Sequence, residues 1–134
     1  MTREMTNYEI IQVINKLDSM GATSYPYKVT RAITKTLKAL REEYSIYEKS
    51  YKELLTRYYE VDDNGMVRKD ENGEDMIKDP GKLVEATETI TDLLNEKVDV
   101  EITQFDESAL EALENLTPVD YGFFDNYFIR NEEE

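Results

Sequence analysis

Apolar residues recur along this chain with two different periods. From Ile33 onward the series Ile33, Leu37, Leu40, Tyr44, Tyr47, Tyr51, Leu54 and Tyr58 advances by alternating steps of four and three. Such steps keep one side of an α-helix apolar. Sustained over several heptads, they mark a long helix with a coiled-coil-like seam. No glycine or proline falls between residues 27 and 59, and Ser24, Tyr25 and Pro26 supply a start, so the spacing predicts a helix over about 25–60. At 1.5 Å per residue such a helix is roughly 50 Å long. One short partner cannot cover it, so other helices or a second copy of the chain must pack on it.

Ahead of that helix, Thr6-Asn7-Tyr8-Glu9 has the form of a capping box. Ile10, Val13, Ile14 and Leu17 follow at helical spacing, and Gly21 supplies a stop, which predicts a helix over about 7–20. Beyond the long helix the pattern changes. Asp62-Asp63-Asn64-Gly65 is a turn sequence. The stretches 66–69 and 75–78 flank Asp70-Glu71-Asn72-Gly73-Glu74, and Asn-Gly between two short runs predicts a β-hairpin. Asp79-Pro80 opens a helix over about 80–95 that carries Leu83, Ala86, Ile90 and Leu94. Val98, Val100 and Ile102 then alternate with Asp99, Glu101 and Thr103, the period of a strand over about 98–104 with one buried face. Asp106 opens a helix over about 107–115, and Thr117-Pro118 another over about 118–129.

These elements predict an α+β fold that is predominantly helical. A long central helix is packed by shorter ones, and the hairpin, joined by the later strand, makes a small three-stranded antiparallel sheet. One domain covers 1–130, and 131–134 is an acidic tail that frays. No internal repeat, low-complexity block or long linker is read in the sequence.

Composition narrows the chemistry. Hydrophobic residues make up 40% of 134, enough for one core. There is no cysteine and no histidine, which removes disulfides, thiolate metal sites and the commonest general base. No apolar run reaches the roughly 18 residues that cross a bilayer, and the first residues are too polar for a signal peptide. The expected location is therefore the cytoplasm. Net charge is −14 and uneven: residues 1–58 hold ten Lys or Arg and seven Asp or Glu, whereas residues 59–134 hold six and twenty-three. An acidic half of that kind repels nucleic acid and anionic lipid and suits a partner with a basic surface.

Five groups of residues invite a functional reading. With Gly65 as the sixth residue of a calcium loop, Glu60, Asp62, Asn64 and Glu71 fall at positions one, three, five and twelve. Against this, a leading Glu is too long for the tight turn, Arg68 brings a positive charge, and no helix leaves the loop. Asp62, Asp63 and Asp70 offer carboxylates for metal-assisted hydrolysis, but in a solvated turn rather than a shaped cavity. No nucleophile elbow, phosphate-binding loop or dinucleotide fingerprint is present, so no catalytic residue and no cofactor is assigned. The stripe Tyr44, Tyr47, Tyr51 and Tyr58 suits either an internal seam or a homodimer and partner surface, because tyrosine joins an apolar body to a polar tip. Lys28, Arg31, Lys35, Lys38 and Arg41 form a basic stripe, either for phosphates or as a solvated face pairing with the acidic half of this molecule or of a neighbour. The C-terminal set Tyr121, Phe123, Phe124, Tyr127, Phe128 and Ile129 exceeds what one face of a short helix buries. It divides between capping the core and docking a partner, with Tyr121, Phe124, Tyr127 and Phe128 as docking candidates.

The order of elements carries a resemblance. Tyr58-Tyr59-Glu60-Val61-Asp62-Asp63-Asn64-Gly65 closes a long charged helix, then Asp70-Glu71-Asn72-Gly73, a helix, Val98-Asp99-Val100-Glu101-Ile102 and Leu116-Thr117-Pro118 follow. This resembles small uncharacterised proteins of bacteriophages and prophages of Gram-positive bacteria, and it implies a phage accessory protein acting in the host cytoplasm or the virion. The combined expectation is a non-enzymatic, acidic interaction protein: an assembly factor or an inhibitor of a host protein. A nucleic-acid mimic that blocks a DNA-binding protein and a calcium-binding protein are the alternatives. Direct nucleic-acid and membrane binding are not expected.

Overall fold

The computed structural model describes residues 1–21 and 23–130. Its elements run β1 (Thr2–Thr6), α1 (Asn7–Ser19), α2 (Tyr27–Tyr58), α3 (Leu83–Leu94), β2 (Lys97–Glu101) and α4 (Pro118–Tyr127), with 3-10 turns at Pro80–Lys82 and Glu107–Leu110. The described residues are mostly helical, with one small two-stranded antiparallel sheet.

The 32-residue helix α2 is the spine. It buries Val29, Ala32, Thr36, Leu40, Tyr47 and Tyr58. In its C-terminal half those positions lie on the heptad seam. In its N-terminal half the buried face is Val29, Ala32 and Thr36, and the seam residues Ile33 and Leu37 are only half-buried. A straight helix repeats every 3.6 residues, so a strict seven-residue pattern rotates off the buried face. Thr36 is fully buried, and its hydroxyl accepts the backbone N–H of Thr103 at 2.9 Å, which ties α2 to the chain just after β2.

α1 lies against α2. Thr6 caps it, its hydroxyl accepting the Glu9 N–H at 3.0 Å, and Ile10, Val13 and Leu17 enter the core. Asp18 reaches Arg41, while Ile11 and Ile14 face Tyr44 and Glu48, so the two helices run in opposite directions. The end of α1 corrects the expected glycine stop. Met20 caps it in a right-handed conformation, and among the described glycines only Gly65 and Gly73 have positive φ.

The sheet also departs from expectation. The strand Lys97–Glu101 pairs with the N-terminal segment Thr2–Thr6, with Met5 opposite Val98 and Thr2 opposite Glu101, and not with the hairpin. β1 carries little pattern because Met5 is its one fully buried residue and Arg3 is only half-buried. The helix expected over 107–115 shrinks to the 3-10 turn Glu107–Leu110. Asp106 gives it no side-chain cap and instead lies 3.9 Å from Arg130. α4 stops at Tyr127, and Ile129 forms a parallel bridge with Phe105. The acidic tail 131–134 lies outside the described residues.

Residues 58–78 form a unit the sequence reading missed. They contain an eight-residue repeat: Asp62, Asn64 and Gly65 return as Asp70, Asn72 and Gly73. Each Asp side chain accepts two backbone N–H groups, from Asn64 and Met66 at 2.8 and 3.0 Å and from Asn72 and Glu74 at 2.8 and 3.0 Å. Gly65 and Gly73 both have φ of 79°, the left-handed turn position that glycine occupies without strain. Three backbone bonds then close a ring: Arg68 N–H to Glu60 O, Met76 N–H to Arg68 O, and Glu60 N–H to Met76 O. The bridges Val61–Val67, Lys69–Asp75 and Tyr59–Ile77 are its three arms, the middle one held by an ion pair. Lys78 N–H to Tyr58 O, 2.9 Å, shuts the third arm where the chain enters and leaves. The expected hairpin thus survives only at its tip as the middle arm, Lys69–Asp75; residues 66–67 pair with 61–62 and residues 77–78 with 58–59, not with each other.

The main core is built from Met5, Ile10, Val13, Leu17, Val29, Leu40, Val100, Ile102, Phe105, Phe124 and Phe128, among others. Tyr47, Tyr58 and Ala86 are buried outside it. They mark where α3 packs along the C-terminal half of α2. Asn7, itself buried, fixes the far end of α3 through its side-chain amide to Leu93 O at 2.8 Å.

Candidate functional site

One run of acidic residues, Glu60 to Asp92, covers the ring, the link after it and α3. The ring exists because its aspartates satisfy their own turns, so Asp62 and Asp70 spend one oxygen each on backbone N–H groups. Asp63, Glu71 and Glu74 project exposed from the same loops. On α3, Ala86 faces inward while Glu85, Glu88 and Asp92, spaced by three and four, line one outward side. Of the eleven acids from Glu60 to Asp92, only Asp75 has an ion-pair partner among the described residues. The stripe on α3 was not singled out in the sequence, although its spacing is legible once Ala86 is known to face inward.

The ring fixes the calcium candidates apart. Glu60 sits on an arm, Asp62 and Asn64 in the first loop and Glu71 in the second. Among the described residues no three Asp or Glu converge as ligands for a metal ion, and this holds for Asp62, Asp63 and Asp70 as well.

The tyrosine stripe is largely internal. Tyr47 and Tyr58 are buried, and the rings of Tyr44, Tyr47 and Tyr51 succeed one another at 6.0 and 5.8 Å. Burial raises the pKa of Tyr47, and burial followed by the charge of Glu48 raises that of Tyr44. Tyr44 also lines an open groove of about 460 Å³ between α1 and α2, with Ile11, Ile14, Arg41 and Glu48.

The C-terminal aromatics divide. Phe124 and Phe128 are fully buried, so they are core and not docking surface, a correction to the docking reading. Their rings meet Phe105 at 5.6 and 6.0 Å, and Tyr25 meets Phe124 edge-on at 5.7 Å. Tyr127 is half-buried, its hydroxyl donating to Glu9 at 3.0 Å and its ring lying 4.4 Å under the Arg3 guanidinium. Burial first, then that hydrogen bond, raises its pKa. Tyr121 alone of the four is exposed; its hydroxyl donates to Glu107, which raises its pKa.

The basic stripe finds almost no partner. Arg41 meets Asp18 at 2.7 Å, but Lys28, Arg31, Lys35 and Lys38 are exposed and make no ion pair among the described residues. The shifted groups all move away from neutral pH: tyrosines and Lys52 upward, Glu48 and Glu101 downward. Catalytic acids and bases are tuned the other way, toward neutrality. No helix is long and apolar enough to cross a membrane among the described residues. No protein-family model, curated protein or solved structure matches the chain.

Proposed function

We propose that this chain is a non-catalytic interaction protein, of the phage accessory kind, that engages a basic protein partner through the exposed acids of the ring. The observation that carries the reading is the run of acids from Glu60 to Asp79, all exposed but for the half-buried Asp62, and with one ion pair, Lys69–Asp75, among the described residues. Crowded like charges repel one another and weaken the fold that holds them. Arrayed on one surface, they attract and orient a partner of opposite sign and speed its encounter. Backbone closure fixes the turns from which these carboxylates project, which lowers the ordering cost of binding.

The test is affinity capture from a lysate of a Gram-positive bacterium, with the intact chain compared against a triple variant, Asp63→Lys, Glu71→Lys and Glu74→Lys. The expected result is one basic protein retained at low salt, released at high salt and absent from the variant eluate. Equal retention by both chains at every salt concentration would refute the reading. If duplex DNA competes the partner away, the surface stands in for phosphates and the nucleic-acid mimic is the form the function takes.

A further inference from the structure

The unpaired basic stripe and the acidic stripe on α3 share a spacing. Lys28, Arg31 and Lys35 advance by three and four, with Lys38 three further on. Glu85, Glu88 and Asp92 also advance by three and four. All seven are exposed, and none makes an ion pair among the described residues. They also occupy opposite ends of the spine. The bases lie on the N-terminal half of α2, whereas α3 packs along the half that buries Tyr47 and Tyr58. The chain is therefore polarised along α2, and its own geometry keeps the two stripes apart.

We infer that a second copy of the chain covers this face, laid antiparallel, so that Lys28, Arg31, Lys35 and Lys38 of each copy meet Glu85, Glu88 and Asp92 of the other. A twofold axis forms the contact twice, as an isologous interface requires. Ile46, 64% exposed, lies about two turns beyond Lys38 on the same side of α2 and gives the contact an apolar element. Charge decides for a second copy over nucleic acid. The −14 net charge repels a polyanion at long range, while the second copy presents its acids at the matching spacing. Overall repulsion between two acidic chains keeps the association weak, and its dependence on exposed base–acid contacts makes it weaker still in salt.

Sedimentation velocity on the full chain tests this, over a range of concentrations at about 0.1 M and about 0.5 M salt, where the screening length falls from about 10 Å to a few ångström. Two charge-reversal variants are compared, each checked for native helical content. One carries Arg31→Glu, Lys35→Glu and Lys38→Glu, and the other Glu85→Lys, Glu88→Lys and Asp92→Lys. The expected result is a wild-type dimer weakened roughly tenfold or more by the added salt. Each variant alone is monomeric, and an equimolar mixture of the two associates again. A wild-type monomer at every concentration overturns the inference. So does a dimer that both variants retain, or a monomer whose basic stripe binds duplex DNA and loses it in the first variant.

Discussion

Replacing Phe124 by alanine separates a core aromatic from a docking one. The ring is fully buried and meets Tyr25, Phe105, Phe123 and Phe128 with centroids between 5.6 and 6.0 Å. Truncation removes an aromatic side chain from a packed site and leaves a cavity, which costs about 3–5 kcal/mol. Each lost edge-on contact belongs to that total and is worth on the order of 1 kcal/mol. Domains of this size have about 5–15 kcal/mol in all, so the variant sits near the edge of folding at ambient temperature. At roughly 4 °C per kcal/mol, a loss of about 4 kcal/mol lowers Tm by some 15 °C. Urea unfolding followed by circular dichroism measures the loss, with Tyr121→Ala as the control. Tyr121 is exposed, so its truncation costs about 1 kcal/mol or less. A Phe124→Ala midpoint within 1 kcal/mol of wild type, on an unchanged slope, would show the aromatic cluster is not packed as described.

Thr36→Val keeps volume and burial but leaves the Thr103 N–H unpaired, so urea unfolding should show a loss of about 1–3 kcal/mol, with Thr36→Ser losing less. Gly65→Ala and Gly73→Ala should each cost about 1–2 kcal/mol by the same assay and match one another, because both place a Cβ on φ of 79° with open space around it. Tyr25, Tyr47 and Tyr127 have pKa values raised above 10.0 in the folded chain. Their neutral forms are favoured by folding, so the stability they add is full below pH 10 and is lost as pH rises through the folded values. Ultraviolet titration should show these phenols ionising later than free tyrosine, with unfolding free energy declining above that pH.

Sequence pattern disclosed the helices better than their surroundings. The heptad run located α2 within two residues at each end because the 32 residues of the helix hold no glycine or proline to interrupt it. It misplaced the buried face near Thr36, since a polar residue enters the core only when a partner N–H from a distant segment is waiting. β1 was invisible because a five-residue strand that buries one methionine has no alternation to detect. The ring hid for a different reason. Asn-Gly signals a turn between two strands, but closure into three arms depends on Glu60, Arg68 and Met76, which share nothing but their spacing. The acids of the candidate surface were countable from composition. Their distribution between ring and α3 required knowing that Ala86 faces inward.

The ring returns the chain to where it left. Lys78 hydrogen-bonds to Tyr58, so the helices on either side join as though nineteen intervening residues were a single tight corner. An excursion whose feet touch can grow at its tips without disturbing what it stands on, since loop length adds only slowly to the cost of closure. Removal of one eight-residue period is another matter: two arms cannot complete a circuit built for three, and the stump would be left as an ordinary hairpin with an open edge.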